Sequence, residues 1–149
     1  MKKIIAVFGG RSCSEEACKA AYKVGKEIAL AGAILICGGK SGVMEAACKG
    51  SIEHGGIAIG ILPDEEKSEA NPYVTIPIAT GMGTGRNIII ARTCDCAIAI
   101  DGSYGTLSEI AHALSLGKPV ISLLSWDIEG VIKAKDPEEA VRKAFEVLG

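Results

Sequence analysis

The run Asp101-Gly102-Ser103-Tyr104-Gly105-Thr106-Leu107-Ser108-Glu109 places glycines, hydroxyls and a carboxyl between an apolar segment and a helical pattern. That combination suits an anion cradle with an acid beside it. Upstream, Cys96-Ala97-Ile98-Ala99-Ile100 reads as a buried parallel strand; downstream, Leu107, Ile110, Ala111 and Leu114 recur at helical spacing. A glycine loop joining such elements aims backbone N–H groups, and the positive end of a helix dipole, at whatever lies above the strand's carboxyl end. Gly102, Ser103, Tyr104, Gly105 and Thr106 are therefore candidate phosphate or ligand contacts, and Glu109 is a candidate acid. Thr106 to Glu109 also matches a capping box, in which threonine and glutamate satisfy each other's backbone donors. Both readings stand on the sequence, because Ser12 to Glu15 and Asp136 to Glu139 share that spacing.

A second cluster, Thr84-Gly85-Arg86, offers a hydroxyl, backbone donors and a guanidinium at a helix start. These groups suit a phosphate or carboxylate, although an isolated arginine equally makes a surface ion pair. Gly9-Gly10 follows the first apolar run, and Gly38-Gly39-Lys40-Ser41 follows the second. The latter is not a Walker A loop, which needs glycine where Ile34 stands, and no G-x-G-x-x-G follows the first strand. Lys40 is expected in solvent, and Gly9, Gly10 and Gly39 are expected to line the ligand crevice.

The elements that must position these groups alternate. A strand at Lys3–Phe8 precedes a helix from Ser14 to Ala31 with an apolar stripe of Ala17, Ala20, Ala21, Val24, Ile28 and Ala31, stopped by Gly32. Strands at Ile34–Cys37 and Ile57–Leu62 flank a helix bearing Met44, Ala47, Cys48 and Ile52. After a polar excursion from Pro63 to Pro72, Tyr73–Ile78 reads as an edge strand because of Pro77. A helix over Arg86–Thr93, the strand at Cys96, a helix ending at Gly117 and a strand over Val120–Leu124 follow. The last helix starts with Asp136 as cap and Pro137 at its first position. Such alternation predicts an α/β, Rossmann-like doubly wound parallel sheet with helices on both faces, and one domain over residues 1–149. If the strand order runs 3-2-1 and then on from the Cys96 strand, the crevice falls between the first strand and that one.

Composition agrees with this reading. The chain is 48% hydrophobic but only 4% aromatic and has 19 glycines, which fits an Ile, Val and Ala core with tight turns. A net charge of −2 argues against nonspecific binding to nucleic acid or to a membrane surface, both of which need a basic field. The apolar start, Ile4 to Phe8, is too short for a signal peptide or a span, so a cytoplasmic protein is expected. Six cysteines lack paired metal-ligand spacing and only His54 and His112 accompany them, so no metal is expected and the thiols read as core fillers. Cys13, close to a helix start, is the one thiol placed for a lowered pKa.

Taken together, Gly81-Met82-Gly83-Thr84-Gly85-Arg86-Asn87, the run Asp101 to Glu109, and Gly38-Gly39 through Val43-Met44-Glu45-Ala46-Ala47 resemble the LONELY GUY (LOG) superfamily. The resemblance covers essentially the whole chain. It is nearest to the short branch similar to molybdenum-cofactor carrier proteins and more distant from the DNA-binding DprA proteins. Within the superfamily's hydrolase branch the resemblance implies cleavage of the N-glycosidic bond of a nucleoside 5′-monophosphate. It assigns the reaction centre to Arg86 and Glu109 and the phosphate to Gly102, Gly105 and Thr106. Within the carrier branch it implies noncatalytic binding of a phosphorylated pterin. Either way the implied partner is a phosphorylated small molecule and the implied assembly a homodimer or higher homo-oligomer. Asn87 replaces the hydrolases' lysine, Ser103 a glycine, and Asp101 a proline or glycine. No residue marks a pyridoxal-phosphate lysine, so the decarboxylase label carried by many members gains no support and no cofactor is implied.

Overall fold

Five-residue β1 (Ile4–Phe8) opens a regular alternation in the computed structural model, which describes residues 1–149. It is followed by α1 (Glu15–Leu30), β2 (Ile34–Cys37), α2 (Val43–Ile52), β3 (Ile57–Leu62), β4 (Ile76–Ala79), α3 (Arg86–Thr93), β5 (Cys96–Ile100), α4 (Tyr104–Ser115), β6 (Val120–Leu123), β7 (Ile132–Ala134) and α5 (Pro137–Leu148). All seven strands join one sheet in the order β4-β3-β2-β1-β5-β6-β7, and every pairing is parallel. The order reverses between β1 and β5, as expected, with Ile5 opposite Cys96 and Phe8 opposite Ala99.

Period-two alternation sends successive side chains of β1 to opposite faces. Ile5 and Val7 join the core beneath α1, α2 and α5, while Ala6 and Phe8 join the smaller core beneath α3 and α4. Central β5 is buried at every position, which explains its unbroken apolar run. No helix is long and apolar enough to cross a membrane.

Several boundaries differ from expectation, each for a local reason. Helix α1 ends one residue early, with Ala31 exposed at its C-cap; the core-facing member absent from the expected stripe is Gly25. Gly25 lies against the Ala47 carbonyl and Gly50 of α2 against that of Tyr22, so the missing side chains let the two backbones touch. Strand β4 starts three residues after Tyr73, where pairing with β3 begins. Strand β7 is only three residues long and lies at the other edge, too short to leave a periodic signal.

The cysteine expectation needs one correction. Cys13 and Cys18 form a disulfide. They occupy the N′ and N4 positions around the Ser14 cap, where a hydrophobic staple ordinarily fixes the angle at which a chain enters its helix. Proximity in the folded turn, invisible in the spacing alone, brings them together. The other four cysteines are buried and unbridged, with Cys37 and Cys48 in contact at 3.5 Å. Burial raises the Cys94 thiol to about 11 and the Cys96 thiol to about 12, which keeps both neutral fillers.

Because the α1–α2 contact has no room for a methyl group at Gly25, Gly25→Ala is expected to cost about 1–3 kcal/mol. Urea denaturation reads this directly, and an unchanged midpoint would show that the helices can separate without loss.

Candidate functional site

A crevice of about 270 Å³ opens at the carboxyl ends of β1 and β5. Gly9, Gly10 and Arg11 from the turn after β1 form one wall, and Ser103, Gly105, Thr106 and Glu109 from α4 form the other. Thr84, Arg86 and Asn87 close it from the start of α3, and Met44 of α2 is the single apolar contributor. Two expected glycine loops thus meet across the crevice, and Thr84 and Arg86 join them.

Four expected contacts lie elsewhere. Gly39 is buried behind the wall against Leu62 and Gly60, where its positive φ of 73° and the close approach exclude a side chain. The third loop therefore buttresses the site instead of lining it. Gly102, at φ 94°, packs on the Thr106 side chain and turns the chain into α4. The Tyr104 ring stacks on Trp126 at 6.1 Å, away from the crevice lining. Gly85 borders a neighbouring cavity. Arg11, Met44 and Asn87 were outside the expected set; Arg11 directly follows Gly9-Gly10, a signal the sequence did contain.

Lys40 is not free in solvent. Its ammonium is paired with Asp64 at 2.8 Å and donates to the Glu69 carbonyl, also at 2.8 Å. Asn71 donates to the Lys40 carbonyl at 2.9 Å, so the polar excursion after β3 is tied to the Gly39 turn. Asp101 sits outside the crevice lining in the left-handed region at φ 50°, and its carbonyl accepts a hydrogen bond from the Ser125 hydroxyl.

Helix ends separate the capping reading from the ligand reading. Ser14 caps α1 and Asp136 caps α5, each accepting from a backbone N–H in the first turn. Helices α2, α3 and α4, whose first turns supply the crevice, have no side-chain cap. Helix α4 begins at Tyr104, so Thr106 already lies inside its first turn and cannot be the cap of a Thr106 to Glu109 box. Ser103 holds the cap position with no side-chain bond, leaving the first amides of α4 as available donors at the crevice.

Arg86 is buried to 8% exposure and held on both sides. Its Nε donates to the Ile61 carbonyl at 2.8 Å and its Nη1 to the Asn87 amide oxygen at 2.5 Å. Gly38 makes room for Nη2, since any Cβ there would collide with it. Burial lowers the guanidinium's pKa, and the nearby Glu109 charge opposes that shift. Glu109 forms no ion pair with Arg86, and burial of its carboxyl raises its pKa to about 8, with Arg86 opposing. At neutral pH the acid is chiefly protonated, so the crevice combines a fixed cation, free helix amides and a proton donor.

Residues 2–147 match the SLOG cluster4 family model. The chain belongs to the SLOG cluster4 family. An uncharacterized protein of Archaeoglobus fulgidus is 48% identical over 138 residues, covering 92% of this chain and 91% of that one. The molybdenum cofactor binding protein of the phototrophic bacterium Rippkaea orientalis is 36% identical, with a TM-score of 0.95 over 100% of this chain and 99% of its own. Cytokinin riboside 5′-monophosphate phosphoribohydrolase LOG5 of Arabidopsis thaliana is 31% identical over 119 residues, 76% of this chain. This SLOG cluster4 chain spans about half the length of that enzyme, 52%.

The raised carboxyl has a thermodynamic consequence in this SLOG cluster4 chain. Between its ordinary value near 4.5 and about 8, Glu109 stays protonated in the folded chain but ionises in the unfolded one. Folding stability therefore falls as pH rises through that window and is level above it. Glu109→Gln removes the penalty: its stability relative to the native chain is expected to grow from pH 4.5 to 8, by at most about 1.4 kcal/mol per pH unit. Urea midpoints at several pH values measure this, and a native chain that gains on the variant towards pH 8 would mean Arg86 holds the carboxyl ionised.

Proposed function

We propose that this protein binds a nucleoside 5′-monophosphate and hydrolyses its N-glycosidic bond, releasing the base and ribose 5-phosphate. The reading rests on one observation above all: Glu109 lines the crevice near the Arg86 guanidinium and the uncapped start of α4, where desolvation raises its carboxyl to about 8. The free amides of α4, with Arg11 and the Gly9-Gly10 turn opposite, receive the phosphate. Glu109 gives its proton to the departing base as the C–N bond breaks and the electron pair leaves with the base. The carboxylate so formed faces the positive charge developing on the sugar. Water then adds to the anomeric carbon, and its released proton returns to Glu109. Arg86, held by Ile61 and Asn87, keeps a positive charge near the carboxyl without pairing with it. The similarity to LOG5 supports the same reaction class.

A noncatalytic phosphopterin-binding protein is the second reading. It is favoured by Asn87 in place of the hydrolases' lysine and by the full-length likeness to the Rippkaea orientalis protein. One experiment separates them: assay of free base from a panel of nucleoside monophosphates, beside equilibrium binding of molybdenum cofactor. Hydrolysis is expected to fall at least about 100-fold in Glu109→Gln, and kcat/KM to decline as pH rises through about 8, as the proton donor ionises. Saturable pterin binding with no base release would establish the carrier reading instead.

The homo-oligomer implied by the family is proposed for the bare edge of the sheet. Ile76 and Ile78 of β4 share one face and are 45% and 43% exposed, an apolar pair on an edge strand whose outer side has no partner strand. Light scattering is expected to give a mass above one chain, falling to the monomer in Ile78→Lys; a monomeric native chain would refute self-association.

A further inference from the structure

A second cavity, of about 210 Å³, also borders Glu109. It shares Thr84, Asn87 and Glu109 with the main crevice and adds Gly85, Ile88, Ser108 and His112. Small-molecule sites begin at roughly 300 Å³, more than either cavity offers alone, so a ligand of nucleotide size would occupy both. Glu109 is the α4 residue that lines both, so together the two cavities outline a candidate groove.

The order of residues along α4 gives the groove a direction. Gly105 and Thr106 lie at the amide end, Glu109 one turn on, and Ser108 and His112 border the second lobe. From Gly105 to His112 the helix advances about 10 Å, a span suited to a ligand with an anion at one end and a ring at the other. The second lobe differs in character from the first. Arg11, Arg86 and the free helix amides belong to the first lobe with Met44 as its apolar residue, whereas no arginine lines the second, whose apolar residue is Ile88, 43% exposed. Beside that wall stand the Ser108 hydroxyl and the His112 imidazole, whose polar atoms have no hydrogen-bond partner within the protein.

We infer that this second lobe is the heterocycle subsite, in which a planar nitrogen base packs on Ile88 while its edge is read by Ser108 and His112. The inference rests on the nucleoside monophosphate reading and deepens it. One apolar surface with a few convergent polar groups is how protein pockets orient a ring. The same lobe puts the bond between ring and sugar beside Glu109, where the proton is held. Ser108 and His112 would thereby determine which base is accepted, since a site that hydrogen-bonds a ligand edge rejects rings lacking the matching group.

Titration calorimetry with ribose 5-phosphate and with adenosine, guanosine, cytidine and uridine 5′-monophosphates tests this. The tightest nucleotide is expected to bind at least about tenfold more strongly than ribose 5-phosphate. Ser108→Trp, which fills the lobe from an exposed helix position, is expected to bring that nucleotide down to the ribose 5-phosphate level while leaving ribose 5-phosphate binding unchanged. His112→Ala is expected to alter the ranking among the four bases with the same phosphate affinity, and it serves if the tryptophan variant fails to fold. Unchanged nucleotide affinities and ranking in both variants, with ribose 5-phosphate still bound, would overturn the subsite and leave the phosphate site standing. No binding of any of the five probes to the native chain would overturn the nucleotide reading and the subsite together.

Discussion

Parallel pairing of β1 with β5 is the contact on which the site depends. At that pair the winding of the sheet reverses, so the helices that follow the two strands leave on opposite faces and a cleft opens between their first turns. Gly9 and Gly10 keep one bank narrow: Gly9 already lies against the Val43 side chain, leaving no room for a Cβ. Gly102 turns the other bank sharply enough to bring the amide end of α4 to the edge. Everything chemical about the crevice follows from that shared edge.

Within the crevice the balance of forces is electrostatic. Burying a carboxyl favours its neutral form and burying a guanidinium disfavours its charge; placing the two near each other opposes both shifts. The fold leaves them close but unpaired, because Arg86 spends its hydrogen bonds on the Ile61 carbonyl and Asn87. A direct ion pair would have neutralised the site. The separation leaves desolvation as the larger influence on Glu109, whose carboxyl is raised to about 8 with Arg86 opposing. Asn87 acts as an orienting acceptor for that arginine.

Much of this was legible in the chain. Alternating apolar runs and helical stripes gave the order of the elements, and the switch between β1 and β5 followed from right-handed crossovers. Local signals performed well at Asp136, which caps its helix as its neighbours predict; at α1 the cap is Ser14, two residues beyond the Ser12 that the spacing singled out. They failed where packing at a distance decided the outcome. Gly25 falls outside the apolar stripe read from the chain until α2 lies across it, and Lys40 reads as a solvent cation until Asp64 closes on it. Cys13 and Cys18 read as separate thiols until the turn into α1 brings them together.

The run from Asp101 to Glu109 shows where the division lies. Its amino acids determined that a tight turn would lead from a buried strand to a helix with donors near its start, because glycine conformation and hydrophobic periodicity act over a few residues. They left Thr106 and Glu109 equally suited to capping each other and to meeting a ligand. Only the tertiary structure excluded the capping box, by starting α4 at Tyr104, and set Glu109 on the crevice near an arginine from another helix. A carboxyl's protonation depends on solvent access and on charges brought near by folding, which its sequence neighbours do not specify.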